Sequence, residues 1–461
     1  MMGRLEKGQD QLFYDVCLEK LVPPDHMVRK LDRVVDLGWV ARDLAPLYSH
    51  TGRPSIDPEL MLRMLIVGYV FAIRSERQLC AEVQVNLAYR WFCGLSVEDP
   101  VPDHSAFSRA RHERFRETDV LRRLFEGVVD SCLRKGLVGG TSFSVDASLI
   151  KADVNPTKRV PGDQPIAWPS QEKASRAVRE YLHTLDDESA EAPSGVGGRA
   201  RRPRMAISLT DPQAAWVAYR KMRSIFAYHA NYLIDNALGI IVGAEGNRAN
   251  RIDENRAAVT MVKRVAERFG VTPKRLAADT AYGNARTLKA LVDQGIEPHI
   301  PVWDNSTRPD GLFSRADFRY DPERDVFVCP GGKLLTTSGT AHDGTTYKYL
   351  AKRSDCQNCA LKPQCTKGRE RRLARDVHEP IRDYVRNLAR TPAFRRSRDE
   401  RKKVEMAFAH MKRIFKLDRL RLRGMNGARD EILLTATAQN LRKLVKYAGP
   451  APPGRPIARP A

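Results

Sequence analysis

Three carboxylates and four thiols are the residues in this 461-residue chain whose types and spacing could do chemistry. Asp146 stands in Ser144-Val145-Asp146-Ala147-Ser148, Asp279 in Ala278-Asp279-Thr280-Ala281-Tyr282-Gly283-Asn284, and Glu405 in a strongly basic stretch. Taken singly, each has an ordinary explanation: a solvent-facing strand residue, a helix N-cap and an ion-pair partner. Together they match what phosphodiester cleavage by two divalent cations needs. Several carboxylates must converge on ions that activate the attacking oxygen and stabilise the leaving one. Mg²⁺, the usual ion, keeps several waters and takes only a few protein oxygens. The thiols are Cys356-x2-Cys359-x5-Cys365, with Cys329-Pro330-Gly331-Gly332 upstream. They could close a tetrahedral structural zinc site, or remain unliganded thiols in a loop. No paired base is recognisable for a catalytic thiol. Cys17, Cys80, Cys93 and Cys132 are scattered through helical segments and read as buried structural thiols.

Secondary structure must bring the acids together. Phe143, Val145, Ala147 and Leu149 alternate with Ser144, Asp146 and Ser148, which predicts a half-buried strand with Asp146 on its polar face. A short strand, Arg275 to Ala278, runs directly into Asp279, at the strand end where α/β sheets place their sites. A strand is expected at Leu238 to Val242 and another at Ile296 to Val302. One helix, with Ala258, Val262, Val265, Ala266 and Phe269 on one face, stops at Gly270, and another runs from Ala285 to Asp293. This alternation is the sequence form of an α/β layer. Glu405 falls in a helix from Phe394 to Phe415, and a last helix spans Asp430 to Tyr447.

Residues 1–135 are helical, with Asp57 as N-cap before Pro58, a helix from Ser75 to Arg90, and a basic helix carrying Arg109, Arg111, Arg114 and Arg116. Residues 155–205 are rich in Pro, Gly, Ser and charge; Asp186 to Arg204 reads as a flexible linker or loop. Residues 303–390 read as an irregular, strand-rich insertion holding the clustered Cys, and 448–461 as a Pro-rich, disordered tail. The chain carries 78 Lys and Arg against 56 Asp and Glu, a net charge of +22. That surplus favours a polyanionic partner, nucleic acid before an anionic membrane. Between 391 and 425 it is concentrated, 12 Lys and Arg against 4 Asp and Glu. The longest uninterrupted apolar run, Met64 to Ile73, is too short to span a bilayer. The N-terminus has no apolar signal core, so a cytosolic location is expected.

The order Asp146, Asp279, Glu405 resembles the DDE transposases of bacterial insertion sequences. In many of these the third acid lies in a helix of pattern Tyr-x2-Arg-x3-Glu-x6-Lys; Arg401, Glu405 and Lys412 match it, and Arg398 stands at the Tyr position. On one helix, 401, 405, 408 and 412 would share a face. Further motifs carry the likeness through most of the chain: Thr51-Gly52-Arg53-Pro54-Ser55 with Asp57-Pro58, Arg74-Ser75-x-Arg77, Pro102-Asp103-His104-Ser105, Leu209-Thr210-Asp211-Pro212 and Phe226-Ala227-Tyr228-His229.

The resemblance implies an α/β protein with a ribonuclease-H-like catalytic core, its first part at 139–302 and its last at 391–447, behind an all-α DNA-binding domain at 1–135. The insertion at 303–390 fits one known in the family between the second and third acids. It implies that Asp146, Asp279 and Glu405 hold two Mg²⁺ or Mn²⁺ ions for strand cleavage and then for attack of the freed 3′-hydroxyl on target DNA. Arg398, Arg401, Lys402, Lys403 and Lys412 would contact phosphates. The partners implied are terminal inverted repeats and target DNA, bound by a dimer or larger assembly in the cytosol, on the nucleoid when DNA-bound. A metal-dependent nuclease of the same fold and a non-catalytic DNA-binding regulator remain as alternatives.

Overall fold

The computed structural model describes residues 16–48, 51, 55–113, 115, 118–190, 204–218, 223–303, 311–340 and 344–447. Arg114, Arg116, the Gly52-Arg53-Pro54 motif and the expected tail at 448–461 lie outside them. It is a mixed α/β structure. Its strands are β1 (Ser142–Lys151), β2 (Arg159–Gly162), β3 (Arg204–Ser208), β4 (Ala215–Val217), β5 (Ile225–Asp235), β6 (Ile241–Arg248), β7 (Arg275–Ala277), β8 (Glu297–His299), β9 (Arg319–Asp321), β10 (Val326–Val328), β11 (Leu334–Thr340), β12 (Thr346–Ala351) and β13 (Arg372–Asp376).

The main sheet has the order β4-β5-β1-β7-β8, with β6 also paired to β5. β1, β5 and β6 run antiparallel, whereas β1, β7 and β8 run parallel. β1 is therefore central. Its first half is buried on both faces, and Ser144 gives its hydroxyl to Asn236 Oδ1 at 2.9 Å rather than to water. The expected half-polar strand is a core strand up to Val145 and opens only from Asp146 onward. β5, which holds the Phe226–His229 motif, carried no strand prediction. The strand expected at Leu238 begins at Ile241, because 236–240 form the turn between β5 and β6, closed by Gly239 at φ +72.

The Arg251–Phe269 helix starts on Asn250, whose side chain accepts from Asp253 N, and packs on β5 and β6. Gly270 ends it at φ +66, a conformation that favours glycine. The final helix, Gly424–Tyr447, starts earlier than expected and is buried almost all round. It lies against β6 and also against the N-terminal helices Pro58–Val70 and Val120–Arg134. One apolar core thus runs from Val22 to Leu444. A buried ion pair, Arg74 to Glu431, ties the two regions, and Glu431 also accepts from the Arg421 and Leu422 amides at 2.6 Å. Asn440 presents its amide to the edge of β6, accepting from Ile241 N at 3.0 Å and donating to Ile241 O at 2.7 Å.

Several expected elements are divided or shifted. The helix at Ser75–Arg90 is two, Glu76–Val85 and Leu87–Phe92, because extended Asn86 ends the first and caps the second with its side chain. The helix at Phe394–Phe415 is also two, Pro392–Glu400 and Lys402–Arg413, meeting at Arg401. The first is held toward β7 and β8 by Ser397 against His299 Nδ1 (2.7 Å) and by Glu400 against Ser142 and Arg275; the second packs on β1. Between 155 and 205, β2 pairs with β3 and a helix spans Arg176–Ala190, so the linker expected from Asp186 is helical to 190; residues 191–203 lie outside those described. The insertion forms a separate five-stranded antiparallel sheet, β13-β12-β11-β10-β9. The Glu379–Leu388 helix after it returns to the main body and packs on Ala285–Val292 and β8. Among the described residues, no helix is long and apolar enough to cross a membrane.

Candidate functional site

Sheet register brings the first two acids together. β1 and β7 pair in parallel with Phe143 opposite Leu276 and Ser144 opposite Ala277. Asp146 and Asp279 each lie two residues further on, so they leave adjacent strands at one level, and strands are about 4.8 Å apart. Local hydrogen bonds orient both carboxylates: Asp146 Oδ1 accepts from Ala147 N and Asp279 Oδ1 from Ala281 N, each at 2.8 Å. The second bond caps the short Thr280–Tyr282 turn, so Asp279 is both the expected N-cap and a member of the cluster.

Glu405 stands on the Lys402–Arg413 helix. Arg401 joins it to the strand, with Nη1 3.4 Å from Asp146 Oδ2 and Nη2 3.4 Å from Glu405 Oε1. Asp146 is 17 % exposed and Glu405 61 % exposed, so the site opens from a buried base to solvent. Burial pushes the Asp146 carboxyl up to about 6, and the charges of Asp279 and Glu405 add to this against the Ala147 amide and Arg401. Among the described residues, no group of three or more His, Cys, Asp or Glu side chains stands at metal-holding separations. The donor set nevertheless suits a hard divalent cation, and Asp146 has the raised proton affinity of a carboxylate short of positive charge. A cleft of about 890 Å³ runs elsewhere, lined by Arg179, Arg248, Arg256 and Arg429 among others; none of the three acids lines it.

One carboxylate escaped the sequence reading. Glu254, mostly buried on the Arg251–Phe269 helix, has its carboxyl pushed up to about 7 by burial, with Asp279 and Asp146 adding and the Tyr282 hydroxyl and Arg251 opposing. The next residue, Asn255, donates to Ala281 O at 3.2 Å, which docks this helix on the Asp279 turn. His229 Nδ1 lies 3.8 Å from Glu254 Oε2, and burial holds the imidazole down to about 4, so it is neutral near pH 7. Glu254 reads as first-turn acidic decoration of a helix. The signal against that was the apolar face itself: from Ala258, one turn back on the same side is 254.

The basic residues divide. Arg398 is exposed, and Lys402, also exposed, pairs with Asp399 at 3.2 Å. Lys403 instead gives its ammonium to the carbonyl of Asn236, and Lys412 gives its own to Leu149 O at 3.2 Å, so both brace the sheet. Position 408, expected to share a face with Glu405, is buried against Tyr232. Arg111 is buried against Glu76 at 2.7 Å rather than part of a solvated basic face.

All eight cysteines are free. Burial pushes Cys80 up to about 11 and Cys93 and Cys132 up to about 12, as inert structural thiols require. Cys329, Cys356, Cys359 and Cys365 line one cavity of about 30 Å³.

Residues 16–113 match a family described as a transposase domain (DUF772), and residues 328–445 match a transposase DDE domain. The second match runs from the Cys329 turn through Glu405 into the final helix; Asp146 and Asp279 precede it. No curated protein matches the chain. Among solved structures, the cryo-EM piggyBac transposase synaptic complex with hairpin DNA is similar at 9 % identity and a TM-score of 0.31, over 91 % of this chain and 78 % of that one. That likeness is too distant to bear on the fold. A transposase domain matched on its N-terminal helices and a transposase DDE domain matched toward its C-terminus together support a DDE transposase of insertion-sequence type.

Proposed function

We propose that this DNA transposase recognises the terminal inverted repeats of its element through the N-terminal helices, and cuts and joins DNA strands at Asp146, Asp279 and Glu405. The observation that carries the reading is the parallel register of β1 and β7, which sets two carboxylates level, with the third joined to them through Arg401. Four antiparallel strands, β4, β5, β6 and β1, continued by the two parallel strands β7 and β8, with helices between, support a ribonuclease-H-like core. Bound at these acids, two Mg²⁺ or Mn²⁺ ions would supply Lewis-acid activation of the attacking and leaving oxygens.

The protein's own part is positional. Asp146 and Asp279 are fixed by backbone amides, whereas Glu405 stands on the exposed face of its helix, paired with Arg401. Arg401 occupies the place between Asp146 and Glu405; its turning outward would open the carboxylates and present its guanidinium to a phosphate. Arg398 and Lys402 extend that basic edge, and such contacts position DNA rather than read its bases. Lys403 and Lys412 hold main-chain carbonyls and act through the geometry of the sheet. Glu254 and Tyr282 buttress the Asp279 turn from behind. Action as a dimer or larger assembly, with both element ends bound, accompanies this reading.

Incubation with labelled element ends, a target plasmid and Mg²⁺ tests it: cleaved ends become joined to the plasmid. Ends cut but never joined would leave a metal-dependent nuclease. Binding without cutting, unchanged by Asp146→Asn, would leave a DNA-binding regulator.

A further inference from the structure

We propose that Cys329, Cys356, Cys359 and Cys365 form a tetrahedral zinc site that holds the five-stranded insertion together, independently of the chemistry at the acids. The four thiols come from two separate arms. Cys329 ends β10 at the turn into β11, and the other three follow β12. They meet at a cavity of about 30 Å³, roughly the share of one water in the liquid and enough for an ion. A methyl group built on Gly331 would lie 3.7 Å from Cys329 Sγ and 3.8 Å from Cys359 Sγ, so one sulfur from each arm borders the same small space.

A backbone amide already points at one of the sulfurs. Lys333 N donates to Cys329 Sγ at 3.3 Å, in a turn closed by Cys329 N to Lys333 O at 2.8 Å and by Gly332 at φ +74. Lys333, Lys362 and Arg371 line the same cavity. Four soft sulfur ligands select zinc over the hard ions suited to the carboxylates.

The insertion also needs what a metal supplies. Its core consists of six buried side chains, Phe318, Phe327, Leu335, Tyr349, Ala351 and Leu373, with Cys329, Cys356 and Cys365 packed at the edge. The two helices that carry Cys356 and Cys365, Arg353–Gln357 and Lys362–Cys365, bury no residue of their own. Helices this short do not persist without an anchor. The thiols do not stand at ligating separations, so coordination requires the short side chains to turn inward. As four S–Zn bonds form, four S–H bonds break and four protons leave to solvent, which makes binding pH-dependent and couples it to folding.

The test uses the full chain. Purified and dialysed against metal-free buffer, it is expected to retain about one zinc per chain, the stoichiometry of a four-thiolate site. Exchange for Co²⁺ should give sulfur-to-cobalt charge-transfer absorption with the intense visible bands of a tetrahedral ion. The double change Cys356→Ser, Cys359→Ser should abolish both signals, while Cys80→Ser should keep them. If the double variant does not fold, the unchanged protein still decides. A chelator should expose 311–376 to protease, and added Zn²⁺ should restore protection. Absence of zinc and of a cobalt spectrum, full metal content in the double variant, or protection indifferent to the chelator would each overturn the site. An Asp146→Asn variant that no longer cuts DNA should still hold its zinc, so failure here is distinguishable from failure of the transposase reading.

Discussion

Replacing Asp146 by Asn should make the metal-free protein more stable while abolishing its chemistry. In the fold this carboxyl titrates at about 6 against an ordinary 3.8, because it is buried beside Asp279 and Glu405. At about 1.36 kcal/mol per tenfold change in proton affinity, ionising it costs about 3 kcal/mol more in the folded than in the unfolded chain. The sign follows from linkage: with the folded value raised, the penalty is absent below pH 4, near half strength at pH 5 and complete above about pH 6. Asn resembles the protonated acid in shape and carries no charge, but it weakens the contact with Arg401. A net gain of about 1–3 kcal/mol at pH 8 is therefore expected, falling as pH drops. Urea denaturation in EDTA, followed by tryptophan fluorescence at pH 5 and pH 8, measures it. Mn²⁺ should then reverse the order: at 100 times its Kd it stabilises a binding protein by about 2.7 kcal/mol, and the Asn variant should gain little. An Asn variant less stable than the parent at pH 8 in EDTA, or equal stabilisation of both by Mn²⁺, would refute a charge-strained carboxylate waiting for a cation.

Other outcomes follow from the same structure. Glu254→Gln should reduce DNA cleavage about 10–100-fold, the range for residues that orient ligand carboxylates, with DNA affinity unchanged in a gel-shift titration; full cleavage would remove Glu254 from the site. In the salt dependence of DNA binding, Arg398→Gln should lower the log–log slope by about 1, whereas Lys403→Gln, which holds a carbonyl, should leave the slope alone and lower the urea midpoint. Arg74→Met should destabilise by about 3–5 kcal/mol, as breaking a buried ion pair does, and Glu431→Gln in the same chain should recover part of it; additive losses would mean that the two do not act as a pair.

Local pattern made much of the core legible. The strand at 143–149, the glycine stop at 270 and the Pro58 helix start all depend on neighbours in sequence, and each appears where its residues indicated, although the burial of the strand does not alternate. The strands that carry Asp146 and lead into Asp279 were legible for the same reason. What escaped reading is set by contacts distant in sequence. Arg401 divides a helix because Ser397 and Glu400 are held by His299, Arg275 and Ser142 on one side, while Val404 and Phe408 are buried on the other. Lys403 and Lys412 look like phosphate contacts in a basic run and instead meet carbonyls more than 160 and 260 positions away. Glu254 was hidden by a first-turn position that explains an acid without any site.

The placement of the final helix has a consequence for how the protein is made. Gly424–Tyr447 is synthesised after every other described element, yet it fills the space between the main sheet and helices made hundreds of residues earlier. Neither layer can close its apolar surface while that segment is still in the ribosome, so folding to the finished state waits on its emergence. A copy of the gene interrupted before codon 424 would then yield neither a nuclease nor a free-standing DNA-binding fragment able to compete for element ends. A chain ending at residue 423 that remained soluble and bound those ends normally would disprove this dependence.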